Sequence, residues 1–325
     1  MPLLKDTFEP SFFFRNPHTA TIYPYFVRKL PDVSYTRERL ELPDGDFLDF
    51  DTIPKSSSHK VAVITHGLEG SSSSKYVMGM GNELHQDGWE VVALNLRGCS
   101  GESNRLSISY HAGKTDDLHT LLTHLLKTRK QYEQVALIGF SLGGNLTLRY
   151  MGTYGAMIPA QVKAAIAISA PCDLLSSVKY IRKSPIYLPW LLQKMKRKAL
   201  ARLNELPEGS LGFSVDEVRQ AKGLEDIDGL YTAPIHGFGT AENYYQTCSS
   251  LPVLPEIKHP TLLINAYDDS FLGEKCYPIK EAQESDYFHF LPSRYGGHVG
   301  FASDFGLSNP FWHEKEAVVF LSRVV

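Results

Sequence analysis

The chain has 325 residues, 43% of them hydrophobic and 21% charged, with a formal net charge of -3 at pH 7. This is the composition of an ordinary globular protein with a large buried core, built as one large α/β domain with an insertion or as two modest domains. The near-balanced charge gives no broad field for nucleic acid or for an anionic membrane.

Cys99, Cys172, Cys248 and Cys276 lie far apart and form no Cys-x-x-Cys, which suits a reducing compartment and argues against a zinc site. No stretch approaches the apolar length of a membrane span, and Lys5, Asp6 and Glu9 stand where a signal peptide needs an apolar core. A cytoplasmic protein is expected.

In chain order, residues 1–30 mix aromatics with Pro10, Pro17 and Pro24. They read as an irregular N-terminal arm packed on the domain, with cover of a pocket mouth as the alternative. Residues 36–42 and 47–53 read as strands joined at Pro43-Asp44-Gly45-Asp46, where Asp-Gly marks a hairpin. The apolar run 61–64 predicts a strand buried on both faces. His66-Gly67-Leu68-Glu69-Gly70 follows it, then a helix near 76–86. Residues 89–96 form the next buried strand and run into Arg97-Gly98-Cys99-Ser100-Gly101-Glu102. Residues 115–130 carry leucines at helical spacing, with Thr115 as the expected N-cap.

The apolar run 135–140 ends in Gly139-Phe140-Ser141-Leu142-Gly143, and helix-compatible residues continue. In that strand-turn-helix context Gly-x-Ser-x-Gly reads as a nucleophile elbow with an exposed serine hydroxyl. Residues 162–169 form another buried strand. From 171 to 251 the rhythm breaks, and a mostly helical cap or lid insertion over the strand ends is expected there. Its basic residues Lys194, Lys196, Arg197, Lys198 and Arg202 read as a solvated face, with lipid headgroup contact as the sharper alternative. The alternation resumes with a strand at 261–266 that delivers Asp268 and Asp269. A strand at 287–291 leads to Gly296-Gly297-His298, and 311–324 closes the chain as a helix. Strands alternating with helices imply a mostly parallel central sheet flanked by helices on both faces.

A serine hydroxyl needs a base, and the base needs an orienting carboxylate. In the α/β-hydrolase arrangement these arrive in the order serine, acid, histidine, each after a strand. Ser141, then Asp268 or Asp269, then His298 meets that order. Gly67 at a strand end lets the Leu68 N–H face a developing oxyanion beside that of Leu142. His111 and Asp116 have the spacing of an acyltransferase box but read better as the opening of a helix. Asp116, His119 and His124 offer too few ligands on one helical face for a metal. No Gly-rich nucleotide fingerprint appears, so no cofactor is expected.

These stretches, together with Asn16-Pro17-His18-Thr19 and Glu41-Leu42-Pro43-Asp44-Gly45-Asp46, make the chain resemble the YheT-like esterases of AB-hydrolase family four, in the α/β-hydrolase superfamily. Arg97-Gly98-Cys99-Ser100-Gly101-Glu102 and Gly296-Gly297-His298-Val299-Gly300-Phe301 carry the resemblance more specifically than the elbow. It implies a carboxylic-ester hydrolase without cofactor, acting on a small-molecule ester, lipid-like ones included. Ser141 would be nucleophile, His298 base and the Asp pair orienter. Family members commonly read Asp-Asp-Pro, with the aspartate before the proline catalytic. This points to Asp269, although Ser270 replaces the proline here. The alternatives are an acyltransferase using the same acyl-enzyme, and a binding protein on an inactive hydrolase fold.

Overall fold

The computed structural model describes residues 3–30, 34–207, 209–306 and 310–325. Its centre is a sheet of eight strands in the order β1-β2-β4-β3-β5-β6-β7-β8. These are β1 (Thr36–Glu41), β2 (Phe47–Ile53), β3 (Lys60–Thr65), β4 (Glu90–Leu94), β5 (Gln134–Phe140), β6 (Val162–Ile168), β7 (Thr261–Ala266) and β8 (Phe288–Ser293). β1 and β2 pair antiparallel across the expected hairpin, with Glu41 opposite Phe47, and β2 pairs antiparallel with β4. All other neighbours are parallel.

Parallel strands buried on both faces need apolar residues at every position, and alternate residues then feed opposite layers. Val61, Val63, Val92, Leu94, Val135 and Leu137 pack with Leu118, Leu121, Leu122 and Leu125. Ala62, Ile64, Val91, Ala93, Ala136 and Ile138 pack on the other side with Val77, Met80 and Leu84, and with Ala317, Phe320 and Leu321 near the C-terminus.

Of the first five helices, α1 (Pro17–Val27), α2 (Lys75–Gln86), α4 (Leu142–Thr153) and α5 (Leu174–Ile181) border the site, whereas α3 (Thr115–Thr128) packs on the sheet. The sixth, α6 (Tyr187–Glu205), carries the basic residues from Lys194 to Arg202. Among the described residues none between β6 and β7 forms a strand. The chain there forms α5, α6 and shorter helices at Val215–Gln220, Leu224–Ile227 and Ala241–Cys248, with a π-turn at Asp228–Thr232.

Three expectations are corrected. The arm is not irregular throughout, because 17–27 is an α-helix. Asn16 caps it by accepting the N–H groups of His18 and Thr19, and Pro17 stands at the first helical position, where no donor is needed. Thr115 is not the N-cap of α3: that position falls to Lys114, and the Thr115 hydroxyl turns back to the Gly113 carbonyl. The basic residues do not all face solvent. Lys198 turns inward to Glu69 at 3.2 Å, and Arg202, 9% exposed, donates to the carbonyls of Asn104 and Leu106. α6 lies against the loops after β3 and β4, whose buried acceptors need donors.

Candidate active site

The elbow is built by close approach. Ser141 sits between β5 and α4 at φ 51° and ψ -119°, a conformation few side chains tolerate, and its N–H bonds the Ile168 carbonyl at 2.8 Å. A Cβ at Gly139 would overlap the Gly143 carbonyl, and one at Gly143 would overlap the carbonyls of Thr65 and His66. Strand and helix meet here only because both flanks are glycine.

Three strand ends converge on that serine. The Ser141 hydroxyl lies 2.9 Å from Nε2 of His298, on the loop after β8. Nδ1 of His298 lies 2.9 Å from Oδ2 and 3.1 Å from Oδ1 of Asp269, just after β7. A carboxylate can only accept here, so Nδ1 carries the proton and Nε2 is free to accept from Ser141. Asp269 is 1% exposed and is held by the Phe271 N–H on Oδ1 at 2.8 Å. The Phe271 ring stacks on the imidazole at 4.0 Å and 16°, which fixes the plane of the ring. Asp268 points elsewhere. Its Oδ1 accepts the Gly297 N–H at 2.9 Å, and burial, opposed by that bond and reinforced by the Asp269 charge, pushes its carboxyl up to about 6.

The histidine loop is anchored by the N-terminal arm, a role that residue patterns in the arm did not disclose. The His298 N–H donates to the Thr21 hydroxyl at 2.8 Å, and that hydroxyl donates to the Pro17 carbonyl at 2.7 Å. Val299, at φ 57°, donates its N–H to the Ser169 hydroxyl at 2.9 Å. Helix α1 is packed so tightly on the loop that a Cβ at Gly297 would meet Thr21, and one at Gly300 the Ala20 carbonyl.

Leu68 and Leu142 line the same cavity as Ser141 and His298. The turn carrying Leu68 is held from both sides. Nε2 of the buried His66 accepts the Leu96 N–H at 3.1 Å, so its Nδ1 carries the proton and donates to the Gly67 carbonyl at 2.7 Å. Burial drives the His66 pKa down to about 4, which keeps the ring neutral for this task. The Gly67 N–H donates to the Tyr76 hydroxyl at 3.0 Å. His66 is therefore a structural fastener of the turn that the sequence reading passed over; its place at the end of a buried strand was the available signal.

The cavity measures about 960 Å³, within the size range of small-molecule sites. Its walls are largely apolar: Ile22 and Tyr25 of α1, Trp190, Leu191 and Met195 of α6, and Phe271 after β7. Helix α1 thus lines the pocket as well as packing on the domain. His111 does not pair with Asp116. It accepts the Gly113 N–H at 3.1 Å and meets the His236 ring, tilted by 57°, at 4.4 Å, and burial lowers its pKa to about 2. Asp116 bonds Lys114 at 2.5 Å instead. Among the described residues no group of three or more His, Cys, Asp or Glu stands together as a metal site.

Comparison with known proteins agrees with this architecture. Residues 61–294 match the family described as alpha/beta hydrolase fold. The YheT protein of Escherichia coli (strain K12), named for an expected esterase activity, is 36% identical over 93% of this chain and 89% of its own length. The human protein named phospholipase ABHD3 is 25% identical over 92% of this chain and 75% of its own. Among solved structures, the Pyrococcus furiosus esterase Pf2001 superposes with a TM-score of 0.61 at 16% identity, covering 91% of this chain and 98% of that one, a likeness of fold.

Proposed function

The chain belongs to the α/β-hydrolase family, in the esterase and lipase branch that includes YheT, and from that premise we propose that it is a serine carboxylic-ester hydrolase working through Ser141, His298 and Asp269. The observation that carries the proposal is the unbroken chain of contacts from the Ser141 hydroxyl through the imidazole to Asp269, each link 2.9 Å long. As Ser141 Oγ attacks the ester carbonyl carbon, His298 Nε2 takes its proton, and Asp269 stabilises the imidazolium. The carbonyl oxygen becomes an oxyanion facing the Leu68 and Leu142 N–H groups. Collapse breaks the C–O bond to the alcohol, which leaves with the proton from Nε2. Water, deprotonated by the same nitrogen, then attacks the acyl-enzyme and releases the carboxylic acid.

The helices between β6 and β7 act in this reading as a cap of residues 171–251 over the strand ends, and with the arm they form an apolar acyl pocket. The walls from α1 and α6 support this, as does the phospholipase name of the human relative. Four free cysteines support a reducing, cytoplasmic setting. Among the described residues no helix is long and apolar enough to cross a membrane. Turnover of p-nitrophenyl esters graded by acyl length tests the function: Ser141→Ala should abolish it with folding retained, whereas an unchanged rate overturns the mechanism.

A further inference from the structure

The turn that carries Leu68 is strained at the next residue. Glu69 has φ 53°, a left-handed conformation that a non-glycine residue keeps only where its surroundings enforce it. The surroundings here are a small polar cluster on the cavity wall. The Glu69 N–H donates to the Tyr110 hydroxyl at 2.9 Å, and that hydroxyl donates back to Glu69 Oε1 at 2.7 Å. Lys198 Nζ, from α6, reaches the same Oε1 at 3.2 Å, and the lysine lies over the Tyr110 ring at 4.2 Å. The side chains of Lys198 and Glu69 are only 17% and 16% exposed, so the pair is shielded from the screening that weakens surface ion pairs. Cys99 Sγ, the other group near Nζ at 3.4 Å, is held as a neutral thiol because burial raises its pKa to about 11. Glu69 is therefore the counter-charge of this lysine, and all four residues line the cavity that contains Ser141.

We propose that Lys198, through its ion pair with Glu69, is a positioning residue for the oxyanion-binding turn: it holds the Leu68 amide in register with Ser141 and so ties the seating of α6 to the chemistry. The inference rests on the esterase reading above. A residue fixed by its own backbone amide and carboxylate at once, one position after the donor, leaves that donor little freedom to swing. Releasing the carboxylate lets Glu69 relax toward negative φ, which turns the Leu68–Glu69 peptide and carries the preceding amide with it. The effect belongs to the transition state, because a neutral ester oxygen draws less from the amide than an oxyanion does.

The test compares the full chain with Lys198→Met, Lys198→Arg, Glu69→Gln and the double variant Lys198→Met/Glu69→Gln, on p-nitrophenyl butyrate. A trifluoromethyl ketone, which forms a hemiketal oxyanion on the serine, serves as second probe. Expected is a tenfold or greater fall in kcat for Lys198→Met and Glu69→Gln, with KM within twofold and ketone affinity falling in parallel. The double variant should be no worse than either single one, and Lys198→Arg should recover most of the loss. Glu69→Gln carries the test if Lys198→Met does not fold. An unchanged kcat with a raised KM, or losses that multiply in the double variant, overturns the inference while Ser141-dependent turnover leaves the esterase reading intact. Turnover that survives Ser141→Ala overturns both.

Discussion

The Asp269 carboxylate lies 2.9 Å from Nδ1 of His298, whereas its neighbour Asp268 turns away to accept the Gly297 N–H at the same distance. One carboxylate orients the ring and the other ties the loop that carries it. Asp269→Asn should therefore lower kcat by about 10⁴, because an amide donor favours the wrong tautomer, while Asp268→Asn should cost no more than about tenfold. Steady-state kinetics on the two variants decide the assignment, and equal losses would contradict it.

Asp268 also makes stability depend on pH. Burial raises its folded pKa to about 6, and burial does the same to Asp228, whose carboxyl accepts from Thr232 and Tyr245. Unfolded aspartate titrates near about 4, so the folded state holds protons that the unfolded chain has released. The stability this gives is complete below about pH 4 and is lost as pH rises through about 6. Asp268→Asn mimics the neutral acid at every pH. Its Tm should fall less than that of the wild type between pH 4.5 and pH 7, as read by scanning calorimetry; parallel curves would contradict the raised pKa.

Thr21 reaches His298 from outside the sheet. Thr21→Val removes the acceptor of the His298 N–H and leaves a half-buried donor unpaired in the loop. We expect kcat to drop about tenfold, equivalent to about 1.4 kcal/mol, with Thr21→Ser near wild type. Full activity in Thr21→Val would show that the loop holds its place without the arm.

Helix α1 ends in a buried ion pair. Arg28 makes two hydrogen bonds to Glu314, at 2.7 and 2.6 Å, with side-chain exposures of 3% and 0%. Its guanidinium also stacks on Phe311 at 3.8 Å. Arg28→Met strands a buried carboxylate and should destabilise the fold by about 3–5 kcal/mol in denaturant titration. Arg28→Met combined with Glu314→Leu should recover much of that, because the cost lies in the unpaired charge. A single variant of wild-type stability would contradict this account of the pair.

The sheet was legible because its central strands are short apolar runs, such as 61–64 and 262–264, too short for a helix and closed by polar residues. The elbow and the Ser-Asp-His order followed, since each of those residues sits just beyond such a run. What the sequence hid depends on tertiary partners. Pro17 and Pro24 disguised α1, although Asn16 before a first-turn proline is a helix start. Lys198 and Arg202 resemble a solvated face in one dimension, and only the acceptors on the loops after β3 and β4 turn them inward. The place of His66 at the end of a buried strand was visible, but its partner was not, because the ring joins two strand ends 30 residues apart.

In the proposed reaction the Ser141 hydroxyl is the activated nucleophile of this chain. Labelling with a fluorophosphonate, followed by peptide mass mapping, tests it most directly. One adduct is expected, on Ser141, absent from Ser141→Ala and strongly slowed in His298→Ala. An adduct on another residue, or labelling at an equal rate without the imidazole, would contradict it.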